Sequence, residues 1–284
     1  MRWGLGVLLV AVACSSTDAE ASCPASPFRS SPPLVIAHAG GEGLGPANTL
    51  LAMERSIDAG ADVLDADLRM TSDGVVVARH DRDLSTSTDG TGPIDERTWA
   101  EVGLLDTRTR WSGPPIDQPV PIPSLEQILL RFPDMPISLE IKQSEPSIAA
   151  ELCAVLTRTE SVGRVYLSAN DDDDLYAAQR QCPESTVITT TYADVDEMRA
   201  ARESGEPWCA PAPIGQPPYR DGRFEPDDVT WSHTHGLAIF TWTVDDPSTL
   251  RELAKAGVDG VYTTRPDVAR LVFDEIAGIG PRAD

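Results

Sequence analysis

The sequence predicts a TIM (β/α)8 barrel with a small inserted subdomain after the second barrel unit. Its length of 284 residues suits one barrel of about 250 residues better than two smaller domains. From Leu34 onward, short apolar runs alternate with helical patterns, as repeated βα units do. Several of those runs end in residues capable of chemistry, at the strand ends where such barrels carry their sites.

Strands are expected near Leu34–Ala39, Asp62–Leu68, Val75–Arg79, Pro136–Ile141, Arg164–Ser168, Thr186–Thr190, Pro207–Ala210, Ala238–Val244 and Gly260–Tyr262, with helices between most of them. The Asp73-Gly74 turn joins the second and third of these into one unit with a hairpin-like excursion, which leaves eight barrel positions. Between 81 and 122 the pattern fails. That stretch holds Gly90, Gly92, Gly113 and several prolines, with Trp99 and Trp111 as packing anchors. It is too long for a simple βα loop and reads as an inserted cap subdomain over the barrel mouth.

Ahead of the barrel, assigned to 34–284, residues 1–14 read as a signal peptide: Arg2, an apolar run from Gly4 to Ala13 that is too short to span a bilayer, then Cys14. Ala11-Val12-Ala13-Cys14 resembles a bacterial lipobox, in which the cysteine becomes a lipidated first residue; ordinary cleavage nearby is the alternative. Residues 15–33 are rich in Ser and Pro and read as a linker. The expectation is an exported protein, anchored to a membrane through lipid and facing the periplasm or cell exterior. Cys23, Cys153, Cys182 and Cys209 then form an even set in an oxidising compartment, with three connectivities open to them. Cys153 with Cys182 is favoured because they fall on neighbouring barrel helices, and buried free thiols are the alternative.

Hydrophobic residues make up 41% and charged residues 24%, ordinary globular values, so the 24 prolines read as loop content. The formal charge of −22 repels phosphate backbones and argues against nucleic acid as a partner. An enzyme with this charge acting on an anion needs a local cation.

His38 follows the first apolar run, beside glycines that let the backbone approach a ligand, and His80 ends another β segment. A pair of histidines at strand ends suits general acid and base work near neutral pH. Asp65 and Asp67 are two apart on a strand and so share a side, with Leu64, Ala66 and Leu68 on the other. Glu140 and Lys142 share a side in the same way. Carboxylates inside a barrel need a counter-charge, and oxygen ligands suit one divalent cation: magnesium, calcium or manganese. A salt-bridge network at the strand ends is the plainer reading of the same residues.

His233 and His235 read as members of an exposed loop rather than ligands, and Asp171 to Asp174 as N-cap and first-turn charge of a helix. Gly40-Gly41-Glu42-Gly43 lacks the spacing of a dinucleotide fingerprint.

The run VIAHAGGEGLGPANTLLAMERSIDAGADVLDADLRMTSDGVVVARHDRDLSTSTDGTG, followed by PIPSLEQIL, ISLEIK, FTWTVDD and GVDGVYTTRPD, resembles the glycerophosphodiester phosphodiesterase family across residues 34 to 272. That resemblance implies His38 and His80 as the acid/base pair, Asp65, Asp67 and Glu140 as metal ligands, Lys142 as a phosphate contact, and Trp242 as an aromatic lining the substrate cleft. The implied reaction is metal-dependent hydrolysis of a small or lipid-derived glycerophosphodiester to an alcohol and glycerol 3-phosphate. Phospholipase D-like action on lysophospholipid or sphingomyelin and a non-catalytic phosphodiester-binding lipoprotein are the alternatives.

Three departures stand out. Ala39 replaces the Arg of His-Arg-Gly, removing a charged hydrogen bond to phosphate of about 1.5–3 kcal/mol. Ala47 replaces the Glu of Pro-Glu-Asn-Thr, and Asp65 replaces a Glu. Arg79 is a candidate substitute cation, but its place next to His80 in a strand predicts that it points away.

Overall fold

The computed structural model describes residues 23–184, 186–219 and 228–279; the expected signal peptide, the lipobox and the first part of the linker lie outside them. The strands are β1 (Leu34–Ala37), β2 (Val63–Met70), β3 (Val76–Ala78), β4 (Ile137–Ile141), β5 (Val165–Ala169), β6 (Val187–Ile188), β7 (Ile214–Gly215), β8 (Ala238–Thr241) and β9 (Gly260–Thr263). The helices are α1 (Leu50–Asp58), α2 (Trp99–Val102), α3 (Leu125–Arg131), α4 (Ala149–Arg158), α5 (Asp172–Gln181), α6 (Tyr192–Ser204), α7 (Asp228–Thr234), α8 (Pro247–Ala256) and α9 (Pro266–Ala277).

Eight of the strands run parallel in the order β6-β5-β4-β2-β1-β9-β8-β7. A parallel bridge from Thr189 to Ile214 brings the two ends together and nearly closes the barrel. The ninth, β3, pairs antiparallel with β2 after the Asp73-Gly74 turn, the excursion the sequence predicts.

Strand alternation decides which side chains face inward. Leu64, Ala66 and Leu68 of β2, Ile137, Leu139 and Ile141 of β4, and Val165 and Leu167 of β5 pack outward with the helices in one core. Val35, Ile239 and Val261 pack outward with α8 and α9 in a second. Inside the barrel a third cluster gathers Ile36, Val63, Tyr166, Ile214, Phe240 and Tyr262, with Phe28 against it. Residues 65, 67, 138, 140 and 142 therefore rise on the inner face above an apolar plug.

The seventh strand corrects the sequence reading. It is Ile214–Gly215, not Pro207–Ala210. The Trp208-Cys209-Ala210 run owes its apolar character to another job: Cys209 is disulfide-bonded to Cys23, and Trp208 stacks on Trp231 at 5.9 Å between ring centroids.

The linker reading also fails from Cys23 onward. Ser26 Oγ donates to the Pro213 carbonyl at 2.7 Å, Phe28 meets Tyr166 edge-on at 6.4 Å, and Arg29 Nε donates to Asp259 at 2.9 Å. The low apolar content of this segment hid a strap held by one aromatic ring, one ion pair and a disulfide. The second disulfide joins Cys153 on α4 to Cys182 after α5, the favoured pairing.

His233 and His235 are not in an exposed loop. His233 Nε2 lies 2.8 Å from buried Asp259, and His235 stacks on Trp231 at 3.7 Å, at the end of the barrel opposite the strand C-termini. Asp171 does cap α5, accepting from the Asp173 amide at 2.8 Å.

Residues 81–122 carry a small core of their own, Leu84, Ile94, Val102 and Ile122 packed with Val77 and Trp99. This insert is tied to the β2–β3 turn by the Trp99 amide donating to Asp73 at 2.8 Å.

The Cys23–Cys209 bond spans a separation of 186 residues, and loss of a native disulfide costs about 2–5 kcal/mol. Replacing both cysteines by serine should lower the denaturant midpoint accordingly, with a steeper transition as the untied unfolded chain exposes more surface. An unchanged midpoint would show that the strap holds without its covalent tie.

Candidate active site

His38 opens a short 3-10 turn, His38–Gly40, directly after β1. The turn needs unusual backbone: Ala39 lies at φ 48 and Gly41 at φ 90, and a Cβ on Gly41 would run into the Ser56 hydroxyl. This geometry aims the Ala39 amide at Asp65 Oδ2, 2.9 Å away. The His38 ring Nδ1 is 3.2 Å from Glu42 Oε1, one turn further along.

His80 stands at the end of the β3 excursion, its side chain 61% exposed, with Nδ1 2.8 Å from Asp81 Oδ1. The Arg69 guanidinium donates to the His80 carbonyl at 2.6 Å and fixes its backbone. Each histidine is thus braced by a carboxylate through Nδ1. Sequence reading found the histidines and missed Glu42 and Arg69. Glu42 follows His38 by four residues, a spacing that carries no signal unless the chain turns there.

Asp65 and Asp67 project inward from β2, and both are buried. Asp67 Oδ2 accepts from Asn48 Nδ2 at 2.7 Å, while the Asp67 amide donates to Asn48 Oδ1 at 3.0 Å. The asparagine of the Pro-Ala-Asn-Thr motif therefore serves to orient this carboxylate. In register, Glu140 of β4 pairs with Asp67 and Ser138 with Asp65. Lys142, with a side chain 9% exposed, contacts Glu140 and lies 3.5 Å from Asp67 Oδ1.

The charges pull on one another. Burial pushes Asp65 up, the His38 charge pulls it back and Asp67 pushes it up again, so its carboxyl is held well above the ordinary range. Burial works to lower His38, but the Glu42 hydrogen bond and the charges of Asp65, Glu42 and Asp67 outweigh it and raise it to about 9. Burial likewise opposes the Lys142 charge, yet Asp67 and Glu140 hold its pKa above the ordinary value.

Three inward carboxylates on paired strands form an all-oxygen donor set that fits a hard divalent cation. Among the described residues no three acidic, histidine or cysteine side chains are drawn together as a group that could hold a metal ion; the Lys142 ammonium bridges Asp67 and Glu140 instead.

Two cavities meet at the histidines. The first, of about 400 Å³, is lined by His38, Asp65, His80, Glu140, Lys142 and Trp242, together with Tyr192, Val195, Gln216 and Tyr262. All but Asp67 of the residues singled out from the sequence share it. The second, of about 290 Å³, is lined by His38, His80, Ala39, Ala47, Asp67 and Arg79 among others. Arg79 thus borders the site, contrary to the sequence reading. Its guanidinium is held by the Asp81 and Asp83 carbonyls and the Thr86 hydroxyl, with no carboxylate in ion-pair distance among the described residues.

A parallel barrel with paired histidines and acidic residues at its strand ends has the architecture of a phosphodiester hydrolase. Residues 38–268 match the glycerophosphoryl diester phosphodiesterase family, and the chain belongs to that family and is an enzyme of it. An uncharacterized protein of Mycobacterium tuberculosis (strain CDC 1551 / Oshkosh) is 31% identical over 218 residues, 74% of this chain and 70% of that one. The glycerophosphodiester phosphodiesterase of Bacillus subtilis (strain 168) is 25% identical over 255 residues, 84% and 86% of the two chains. Among solved structures, a glycerophosphoryl diester phosphodiesterase domain from Mycobacterium tuberculosis superposes with TM-score 0.74 at 24% identity, covering 84% of this chain and 98% of that one. An Oleispira antarctica phosphodiesterase, in complex with its product sn-glycerol-3-phosphate, does so with TM-score 0.68 at 22% identity, covering 85% and 97%. The family generally uses a divalent cation.

Because the Glu42 carboxylate favours the imidazolium form, Glu42→Gln should bring the His38 pKa down from about 9. An NMR titration of the ring protons in cation-free protein reads this directly. An unmoved midpoint would remove Glu42 from the site.

Proposed function

We propose that the chain hydrolyses glycerophosphodiesters to an alcohol and glycerol 3-phosphate, with His38 and His80 as the acid/base pair. The observation that carries this reading is the junction of the two cavities, where both histidines, each braced by a carboxylate, face one cleft beside Asp65, Glu140 and Lys142. A glycerol hydroxyl attacks phosphorus as one histidine accepts its proton, the bond to the leaving oxygen breaks, and the other histidine protonates the departing alcohol. Water then opens the cyclic phosphate by the reverse proton traffic. Glu42 braces His38 and Asp81 braces His80, and one of the two is the acid of the first step and the other its base.

Lys142 faces the phosphoryl oxygens, and Trp242, whose indole nitrogen donates to the Gln216 carbonyl at 2.8 Å, walls the cleft. Asp65, Asp67 and Glu140 are the residues that would hold magnesium, calcium or manganese. When bound, such an ion supplies Lewis-acid neutralisation of the phosphoryl oxygens. The two disulfides, together with the apolar run ending at Cys14, support export and a lipid-anchored location.

Turnover of glycerol 3-phosphate esters in the presence of divalent cation tests the reading. His38→Ala and His80→Ala should each reduce kcat by about 10²-fold or more with the fold intact by circular dichroism. Near wild-type turnover by either variant would refute the two-histidine mechanism. Binding without turnover by the wild type would favour the phosphodiester-binding alternative.

A further inference from the structure

The cleft has two arms, and the catalytic histidines stand where they join. The larger arm holds the Lys142 ammonium with Asp65 and Glu140, two of the residues that would hold a cation, so under the phosphodiesterase reading it takes the phosphoryl group and the attacking glycerol. Displacement at phosphorus sets the attacking and leaving oxygens roughly in line on opposite sides. The departing alcohol therefore points away from those three groups, into the second arm, which Asp67 also borders.

That arm has room for a substantial group. Its volume of about 290 Å³ equals roughly ten waters at liquid density. Ala39, Ala47 and Ala78 line it, and Ser87, Thr107 and Ile122 of the insert wall it. Two of the positions at which this sequence departs from the family's motifs thus fall in one place. Side chains the length of Arg and Glu at 39 and 47 would compete for this space.

Its chemistry is also distinctive. The carboxylates of Glu42, Asp67 and Asp81, the Arg79 guanidinium and the Ser87 hydroxyl border it, and beyond the His38 and His80 imidazoles at the junction no aromatic ring does among the described residues. A quaternary ammonium group draws its recognition from aromatic faces. Hydroxyl groups instead donate to carboxylates and accept from guanidinium, so several of them on one small ring match this lining.

We propose that the second arm is the leaving-alcohol subsite and that it selects a polyhydroxylated alcohol, of the cyclitol or sugar-alcohol class. The assignment rests on the phosphodiesterase reading above. It is tested by kcat/KM for three glycerol 3-phosphate esters, those of inositol, choline and methanol. Wild-type protein should favour the inositol ester over the choline ester by about tenfold or more. Ala47→Leu, which fills the arm, should cut the inositol-to-methyl ratio by about tenfold or more, with thermal melting confirming the fold. Ile122→Phe fills the same arm from the insert and should act alike should Ala47→Leu not fold. Val195→Phe in the larger arm should lower both esters by a common factor. A choline preference, an unchanged ratio in folded Ala47→Leu and Ile122→Phe, or a ratio that falls in Val195→Phe would each overturn the assignment. Failure of wild-type protein on all three esters would instead overturn the phosphodiesterase reading beneath it.

Discussion

Asp65 and Asp67 project, both buried, from β2 into the barrel beside the partly exposed Glu140 of β4. Burying one ionised carboxylate without compensation costs several kcal/mol, and like charges at close range in a low dielectric add to that. The mouth of the barrel is arranged around this cost. The strained turn after β1 exists to present the Ala39 amide to Asp65, Asn48 clamps Asp67 by two hydrogen bonds, and Lys142 places an ammonium between Asp67 and Glu140. The same field, with the Glu42 hydrogen bond, raises the His38 pKa against the opposing effect of burial.

Much of this was legible in the sequence because strand alternation is a rigid rule. Asp-Ala-Asp within an apolar run states that two acids face the opposite side from Leu64, Ala66 and Leu68, and the packing shows that division. The Asp73-Gly74 turn stated the β2–β3 excursion just as directly. What the sequence hid depends on long-range pairing. β7 is only two residues between prolines, too short to carry a periodic signal, while the apolar Trp208-Cys209-Ala210 run beside it is occupied with a disulfide and ring stacking. The strap from Cys23 to Pro33 had the composition of a linker, since its hold on the barrel comes from Phe28, Arg29 and one cysteine rather than from an apolar face.

Glu42 escaped because it belongs to no pattern with a period and enters the site after a left-handed turn; Arg79 was named as a candidate cation, but strand alternation misplaced it because β3 ends at Ala78. The resemblance to the family located the histidines and carboxylates and marked Ala39 and Ala47 as departures. Only the structure shows that both departures border the cavity that Glu42 and Arg79 also line.

In the proposed enzyme the three inward carboxylates hold a divalent cation that the Lys142 ammonium alone does not replace. Calorimetric titration of magnesium, calcium and manganese into chelator-treated protein addresses it without relying on turnover. Binding at one ion per chain, weakened severely by Asp65→Asn and by Glu140→Gln in variants that remain folded, is the predicted result. Absence of a one-to-one site for all three ions, or equal affinity in the wild type and both variants, would contradict it.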